Sequence, residues 1–400
     1  MTTATDFAAT RAFFDLPEGV TYLDGNSLGP LPRAVPERLA QAARHDWGGK
    51  LIGGWNDAGW MEMPDRLGDR IAPLIGAPAG SVTLGDTLSV KVYQALAAAL
   101  ALNPDRRVIL SCAGNFPSDL YIAQGLARTL ERGHDLRTPP PEEVEAHLSE
   151  EVAVLMLTEV DYRTGRRHDM ARLSARAHEL GIVTVWDLAH SAGALPVDMA
   201  GCGAAFAVGC TYKYLNSGPG GPAFIHVRPD LAQRIDPALA GWLGHEAPFA
   251  FDPDYRPAPA VMRMRVGTPP VLQMVALETA LEVWDMARIE DVRARSVALS
   301  QRFIDAVEAS CPALTLASPR APEDRGSQVS FRHPEGYAIM QALIAGGVVG
   351  DFRAPDILRF GITPLYLDEA DIDRAAESLA HIVNRGLWDA PEFRARKPVT

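Results

Sequence analysis

Cysteine is scarce in this chain. The four in 400 residues, Cys112, Cys202, Cys210 and Cys311, form no C-x-x-C pair and are too sparse for a disulfide framework. Basic residues are also in deficit. The 38 Lys and Arg against 50 Asp and Glu give a net charge of −12 and a pI near 5.3. That balance argues against an extended nucleic-acid or anionic-membrane surface, since phosphate binding needs a local excess of Lys and Arg, but it leaves room for one small anion pocket. Long apolar runs are missing: the most apolar, residues 95–102, is far too short to span a bilayer. Residues 1–10 lack the basic stretch and apolar core of a secretory leader. The expected compartment is therefore reducing, the cytosol. The ten histidines show no H-E-x-x-H or paired metal spacing, and there is no Walker loop, G-x-G-x-x-G or G-x-S-x-G. Metal, nucleotide and serine-hydrolase readings have no support.

What is present reads as an ordinary globular chain: 47% hydrophobic and 22% charged residues, with 34 Gly and 31 Pro. At roughly 150 residues per domain this length suggests two or three domains. Residues 13–32 are turn-rich and read as an extended arm lying over something else, and helical periodicity runs from 35 to about 47. Apolar strands over 81–84, 107–112, 152–158, 182–186 and 205–210 then alternate with helices over 89–102, 117–131 and 171–180. Uninterrupted apolar strands separated by helices predict a parallel sheet covered on both faces.

Pro269-Pro270 opens a helix to about 288, proline being suited to a first helical turn. A second helix over 290–310, strands near 314, 328 and 357, a helix near 337 and a final helix capped by Asp368 complete a smaller α/β domain, hinged near Pro269. The expected division is 1–60 for an N-terminal arm and helix packing with the small domain, 61–270 for the large domain and 271–400 for the small one.

The most informative segment is Thr211-Tyr212-Lys213-Tyr214, between the apolar strand and the turn Asn216-Ser217-Gly218-Pro219-Gly220-Gly221. Lys213 is either a surface residue at a strand end or an inward-pointing amine. Desolvation would keep such an amine partly neutral, the condition for a Schiff base. Asp187, 26 residues earlier in Trp186-Asp187-Leu188-Ala189-His190, caps a following helix or holds a proton on the pyridine nitrogen of pyridoxal phosphate. Asp86-Thr87-Leu88-Ser89 opens a helix whose free N–H groups suit a phosphate, or serve as an ordinary cap. In Phe116-Pro117-Ser118-Asp119, Phe116 could stack on a flat ring and Asp119 could bond its substituents; plain core is the alternative. Arg359, in the apolar strand Ile357-Leu358-Arg359-Phe360-Gly361, needs an anion: a substrate carboxylate, or a structural Asp or Glu.

Seven motifs in order resemble the kynureninase family: Leu23-Asp24-Gly25-Asn26-Ser27-Leu28-Gly29, Gly54-Trp55-Asn56-Asp57-Ala58-Gly59-Trp60, Phe116-Pro117-Ser118-Asp119, Trp186-Asp187-Leu188-Ala189-His190, Thr211-Tyr212-Lys213-Tyr214-Leu215-Asn216, Gly241-Trp242-Leu243-Gly244-His245 and Val266-Gly267-Thr268-Pro269-Pro270. The resemblance implies a fold-type I, aspartate-aminotransferase-like pyridoxal phosphate enzyme. Such an enzyme hydrolyses L-kynurenine, and to some degree its 3-hydroxy derivative, to the anthranilate and L-alanine in tryptophan catabolism. It implies Lys213 as the amine that binds the cofactor aldehyde and moves protons, with Tyr212 and Asp187 as catalytic partners. Leu88, Ser89 and Tyr212 would bind phosphate, while Phe116, Asp119, Thr158 and His190 would lie on the cofactor ring. Trp242 and Thr268 would reach the phosphate of a neighbouring copy, making the enzyme a homodimer with shared sites. Ser27, Trp55, Gly267 and Thr268 would flank the aromatic end of the substrate, and Arg359 would take its carboxylate. The nearest alternative, a cysteine desulfurase or class V aminotransferase, fits less well. Desulfurase-like chains carry His before the lysine, where Tyr212 stands here, and a nucleophilic Cys late in the chain, where only Cys311 is found.

Overall fold

Seven strands form the larger sheet: β1 Val82–Leu84, β2 Val108–Leu110, β3 Asp135–Arg137, β4 Val152–Thr158, β5 Val183–Asp187, β6 Phe206–Gly209 and β7 Phe224–Val227. They belong to a computed structural model that describes residues 4–396. The spatial order is β1-β7-β6-β5-β4-β2-β3, and every neighbouring pair is parallel except those made by β7. All seven residues of β4 are buried, as expected of a strand with helices on both faces. Helix Leu88–Leu102 packs one face, where Val92, Ala95, Leu96 and Ala99 meet Val185, Phe206 and Val208. The other face carries Leu157, Trp186 and Leu188 against helices Met63–Ile71 and Val271–Leu281. The expected parallel sheet is there. Strands β7 and β3 were not expected.

A second sheet, β8 Thr315–Leu316, β9 Gln328–Arg332, β10 Asp351–Arg353 and β11 Ile357–Gly361, is antiparallel in the order β8-β9-β11-β10. Helices Ile289–Ser310, Gly336–Ala345 and Glu369–Arg385 supply the rest of its core. Asp368 caps the last of these in a reciprocal pair with Asp371, the role expected of it.

The arm joins this second unit. Thr21–Tyr22 pairs with Val348–Val349, and Phe14 and Leu23 enter its core. The helix at 35–47 does not follow the arm, and the helix opened by Pro270 does not begin the small unit. Ala42, Met274, Val275, Leu277 and Leu281 all belong to the core of the large sheet, while Val283 is the first to join the other core. Helix Val271–Leu281 is apolar around most of its circumference and must be buried on several sides. The double proline marks a helix start, not a domain edge. We propose that the two units divide after Leu281, with residues 35–60 on the large one. No helix among the described residues is long and apolar enough to cross a membrane.

Candidate active site

The carboxyl ends of the parallel strands β4, β5 and β6 lie side by side, the usual location of a ligand in an open α/β sheet. Strand β6 ends at Gly209, where a Cβ would stand 2.4 Å from the Phe224 ring. The chain then turns tightly, with the Thr211 hydroxyl 2.6 Å from Pro222 O and 2.7 Å from Ser217 Oγ, and Asn216 at φ +57°. This turn presents Lys213, half-buried, with Nζ 2.9 Å from His190 Nε2 and 5.9 Å from the ring centres of Phe116 and Tyr212. The arm braces the turn from behind: Gly29 N–H donates to Tyr212 O at 2.7 Å.

His190 is buried, and its Nδ1 lies 3.1 Å from Gln328 Oε1 on β9. Burial, reinforced by Lys213 and Arg359, pushes its pKa well below the ordinary value, so the ring is neutral. Gln328 went unnoticed in the sequence, because nothing in an apolar strand pattern marks one glutamine as pointing into another unit.

Asp187 ends β5 next to Thr158 at the end of β4. Its Oδ1 accepts from Ala189 N–H at 2.8 Å, so it caps a turn, where a helix cap was the alternative expected, and this occupies only one oxygen. Asp119, on helix Pro117–Leu130, is equally buried and hydrogen-bonds to Asp187. Burial and then the Asp187 charge push Asp119 far up, so it holds the shared proton. Burial also raises Asp187, but the nearby Lys213 charge and the Ala189 N–H oppose this, leaving it the anionic partner. Asp119 Oδ2 has no hydrogen-bond partner among the described residues. The Thr158 hydroxyl and N–H both donate to Asn115 Oδ1, the latter at 3.2 Å.

Helix Leu88–Leu102 starts without a side-chain cap from Thr87, and Ser89 Oγ lies 3.3 Å from Ser118 Oγ at the start of helix Pro117–Leu130. Two helix starts and two hydroxyls thus converge, a setting suited to a phosphate. Beneath them the buried Lys91 bonds Gln94 Oε1 at 2.9 Å and Met264 O at 3.1 Å, with Asp86 at 3.4 Å; burial lowers its pKa to about 8. The Tyr212 phenol is raised by the adjacent Cys210 and by burial, and stays protonated.

Arg359 is buried, and four of its five N–H donors are engaged. Nε donates to Asp351 Oδ1 at 2.7 Å, Nη2 to Asp351 Oδ2 and to Ser27 Oγ (2.8 Å), and Nη1 to Tyr162 O at 2.6 Å. The structural pairing left open in the sequence is therefore present, with Asp351 as the anion. Arg353, which sequence reasoning missed, adds a second guanidinium 2.8 Å from Asp351 Oδ2, one-third exposed. Despite burial, Arg359 and Arg353 hold Asp351 below the usual carboxylate range. Phe116 stands at the N-cap of its helix with its ring edge-on to Tyr162 at 5.2 Å; it is 40% exposed, and the Lys213 amine lies over the ring. Trp55, Trp242, Gly267 and Thr268 gather elsewhere. The Trp55 and Trp242 rings meet at 6.1 Å, Leu243 N–H donates to Val266 O, and Gly267 and Thr268 are exposed.

The backbone resembles a cystine C–S lyase mutant with glycine covalently linked to the PLP cofactor (TM-score 0.80, 20% identity, 92% of this chain and 98% of that one). It equally resembles a cysteine desulfurase from Escherichia coli (TM-score 0.79, 20% identity, 96% and 99%). The residues here fit that cofactor: an amine, a buried acid pair with one unmatched oxygen, and an uncapped helix start with hydroxyls. These likenesses show the fold shared by enzymes of fold type I. Residues 292–379 match the kynureninase C-terminal domain. The chain is 52% identical to a kynureninase of Deinococcus radiodurans over 94% of its own length and 93% of that protein's. It is 47% identical to one of Pseudomonas fluorescens over 98% and 96%, and 49% identical to one of Burkholderia pseudomallei over the same shares. The chain belongs to the kynureninase family.

Proposed function

We propose that this enzyme splits L-kynurenine with water into anthranilate and L-alanine, with Lys213 as the amine that binds the cofactor and moves the substrate's protons. The single observation that carries the reading is the position of Lys213: its amine meets a neutral imidazole at 2.9 Å, and its charge reaches Asp187. Pyridoxal phosphate, when bound, supplies an electron sink that the protein lacks. Asp187, kept anionic by Ala189 N–H and Lys213, would hold a proton on the ring nitrogen, and protonated Asp119 would donate to a ring substituent. Leu88 and Ser89 at the helix start, with the Tyr212 phenol, would hold the phosphate, and Phe116, Thr158 and His190 would hold the ring.

Lys213 takes the α-proton of the substrate and returns one later. Tyr212, a phenol held protonated beside it, donates a proton to the β-carbon as the product leaves. Arg359 and Arg353 together outnumber the single Asp351 anion, and the uncompensated positive charge receives the α-carboxylate; Ser27, expected at the aromatic end of the substrate, instead bonds Asp351 and Arg359 and so belongs to this end. Closure of the small unit would bring these arginines over the substrate.

Trp242 and Thr268 serve a neighbouring copy's phosphate in a homodimer, and Trp55, Gly267 and Thr268 flank the aromatic end of the substrate. The support is that Trp242, Gly267 and Thr268 are exposed, with the partly buried Trp55 against Trp242. All four cysteines are free thiols raised by burial, which suits a reducing cytosol and offers no thiolate nucleophile of the desulfurase kind.

Lys213→Ala tests the reading. It should retain the circular dichroism of the parent and lose the yellow colour of bound cofactor and all anthranilate production. Ordinary turnover by this variant overturns the assignment.

A further inference from the structure

Gln328 is fully buried on β9, yet its side chain leaves its own sheet and ends between two parts of the large unit. The amide nitrogen faces two backbone carbonyls, Asp161 O at 3.3 Å and Tyr162 O at 3.1 Å. Carbonyls only accept, so the group facing them must be the amide NH₂, and Oε1 must be the atom facing His190. An amide oxygen likewise only accepts. The His190 Nδ1 at 3.1 Å must therefore carry the ring proton, and in a neutral imidazole Nε2 is then a bare lone pair. That lone pair is the atom 2.9 Å from Lys213 Nζ.

We propose that Gln328 is a positioning residue for the reaction: it fixes His190 in the Nδ1–H tautomer, so that Nε2 always faces Lys213 as a proton acceptor. The residue acts through His190. Its backbone lies in the small unit and its polar contacts in the large one, so the acceptor beside Lys213 is set by how the two units meet. The same Tyr162 carbonyl also accepts from Arg359, on the strand paired with β9. The loop that orients the amide is thus held by two small-sheet residues. The loop is shaped for this approach: at Gly165 (φ +73°) a Cβ would stand 2.8 Å from Gln328 Cγ.

The consequence for catalysis rests on Lys213 being the reactive amine; the tautomer itself does not, which allows the two to be tested apart. Ring-¹⁵N-labelled histidine in the full chain distinguishes protonated from bare ring nitrogens by NMR, with a His190→Gln variant to assign the signals. A charged Lys213 would itself favour Nδ1–H, so the decisive protein is Lys213→Ala, in which only Gln328 remains to set the ring. We expect His190 to stay Nδ1–H in Lys213→Ala and to lose that preference in Lys213→Ala/Gln328→Met, methionine filling nearly the same volume without polar atoms. An Nε2–H ring in the single variant, or an unchanged Nδ1–H ring in the double, overturns the proposal. If the double variant fails to fold, the single one still decides. With Lys213 intact, Gln328→Met should lower kcat by roughly tenfold or more, as a wrong tautomer does elsewhere, with little change in KM. A raised KM at unchanged kcat would reduce Gln328 to a packing role and also overturn it.

Discussion

Asp24 sits where the arm meets the arginine pair, and one of its oxygens, Oδ1, has no hydrogen-bond partner among the described residues. Burial, then the Asp351 charge, push its pKa up to about 7. Below that pH, two guanidiniums face one carboxylate and the pocket is positive; above it, Asp24 ionises and cancels the excess. The KM for kynurenine should therefore rise as pH passes upward through about 7, and Asp24→Asn should flatten that rise. An unaltered KM profile in the variant refutes the link. The same shift has a sign for stability. The folded pKa is raised, so the contribution is complete below the unfolded value of 3.8 and is lost as pH climbs to about 7. Urea midpoints of the parent should fall across that window relative to those of Asp24→Asn.

Arg359 could be singled out from sequence because a charge in an apolar strand is conspicuous. Its partner could not, because Asp351 faces it only through the β10–β11 register, which no local pattern encodes. Gln328 was hidden for the same reason.

At the scale of elements, β4, β5 and β6 were legible because strands buried on both faces are written as unbroken apolar runs. Strand β3 was not, since Asp135–Arg137 is a polar edge, and β7 follows a glycine-rich turn that reads as loop. The amine, the acid and the helix start sit at ends of legible elements, so most of the candidate cofactor residues were visible early. The arm is the exception. It was read as lying over something, but its grip on the Lys213 turn is a tertiary contact. Gly29 makes that grip: a Cβ there would meet Lys213 O at 2.4 Å and Asn216 Oδ1 at the same distance. Backbone on one side leaves little room to yield, and overpacking of this kind costs about 1–3 kcal/mol. Gly29→Ala should lower the thermal midpoint and also kcat, because the displaced turn carries the reactive amine. Loss of stability with kcat untouched would mean that the arm is only a brace.

On the scale of the whole molecule, an apolar strip lies uncovered among the described residues. Edge-to-face contacts run from Trp60 through Trp55, Trp242 and Phe249 to Phe251, at centroid distances of 5.8 to 6.3 Å. Phe249 is 61% exposed and Phe251 78%, and the adjoining Leu51 and Ile52 are exposed at 65% and 82%. A continuous patch of this kind is unusual on a monomer and is what a subunit interface requires. It also holds Trp242, with Thr268 nearby, the residues assigned above to a neighbouring copy's site. Phe251 allows a clean test because it adopts φ +51°, a backbone region that Asp tolerates better than an aromatic residue. Phe251→Asp should therefore fold as well as the parent, yet place a charge at the exposed end of the strip. Sedimentation velocity should find the parent dimeric and the variant monomeric. Titration with pyridoxal phosphate, followed by visible absorbance, should show weakened binding in step with dissociation. A variant that stays dimeric, or one that dissociates while binding the cofactor as tightly as before, would mean that the shared site is built from some other face.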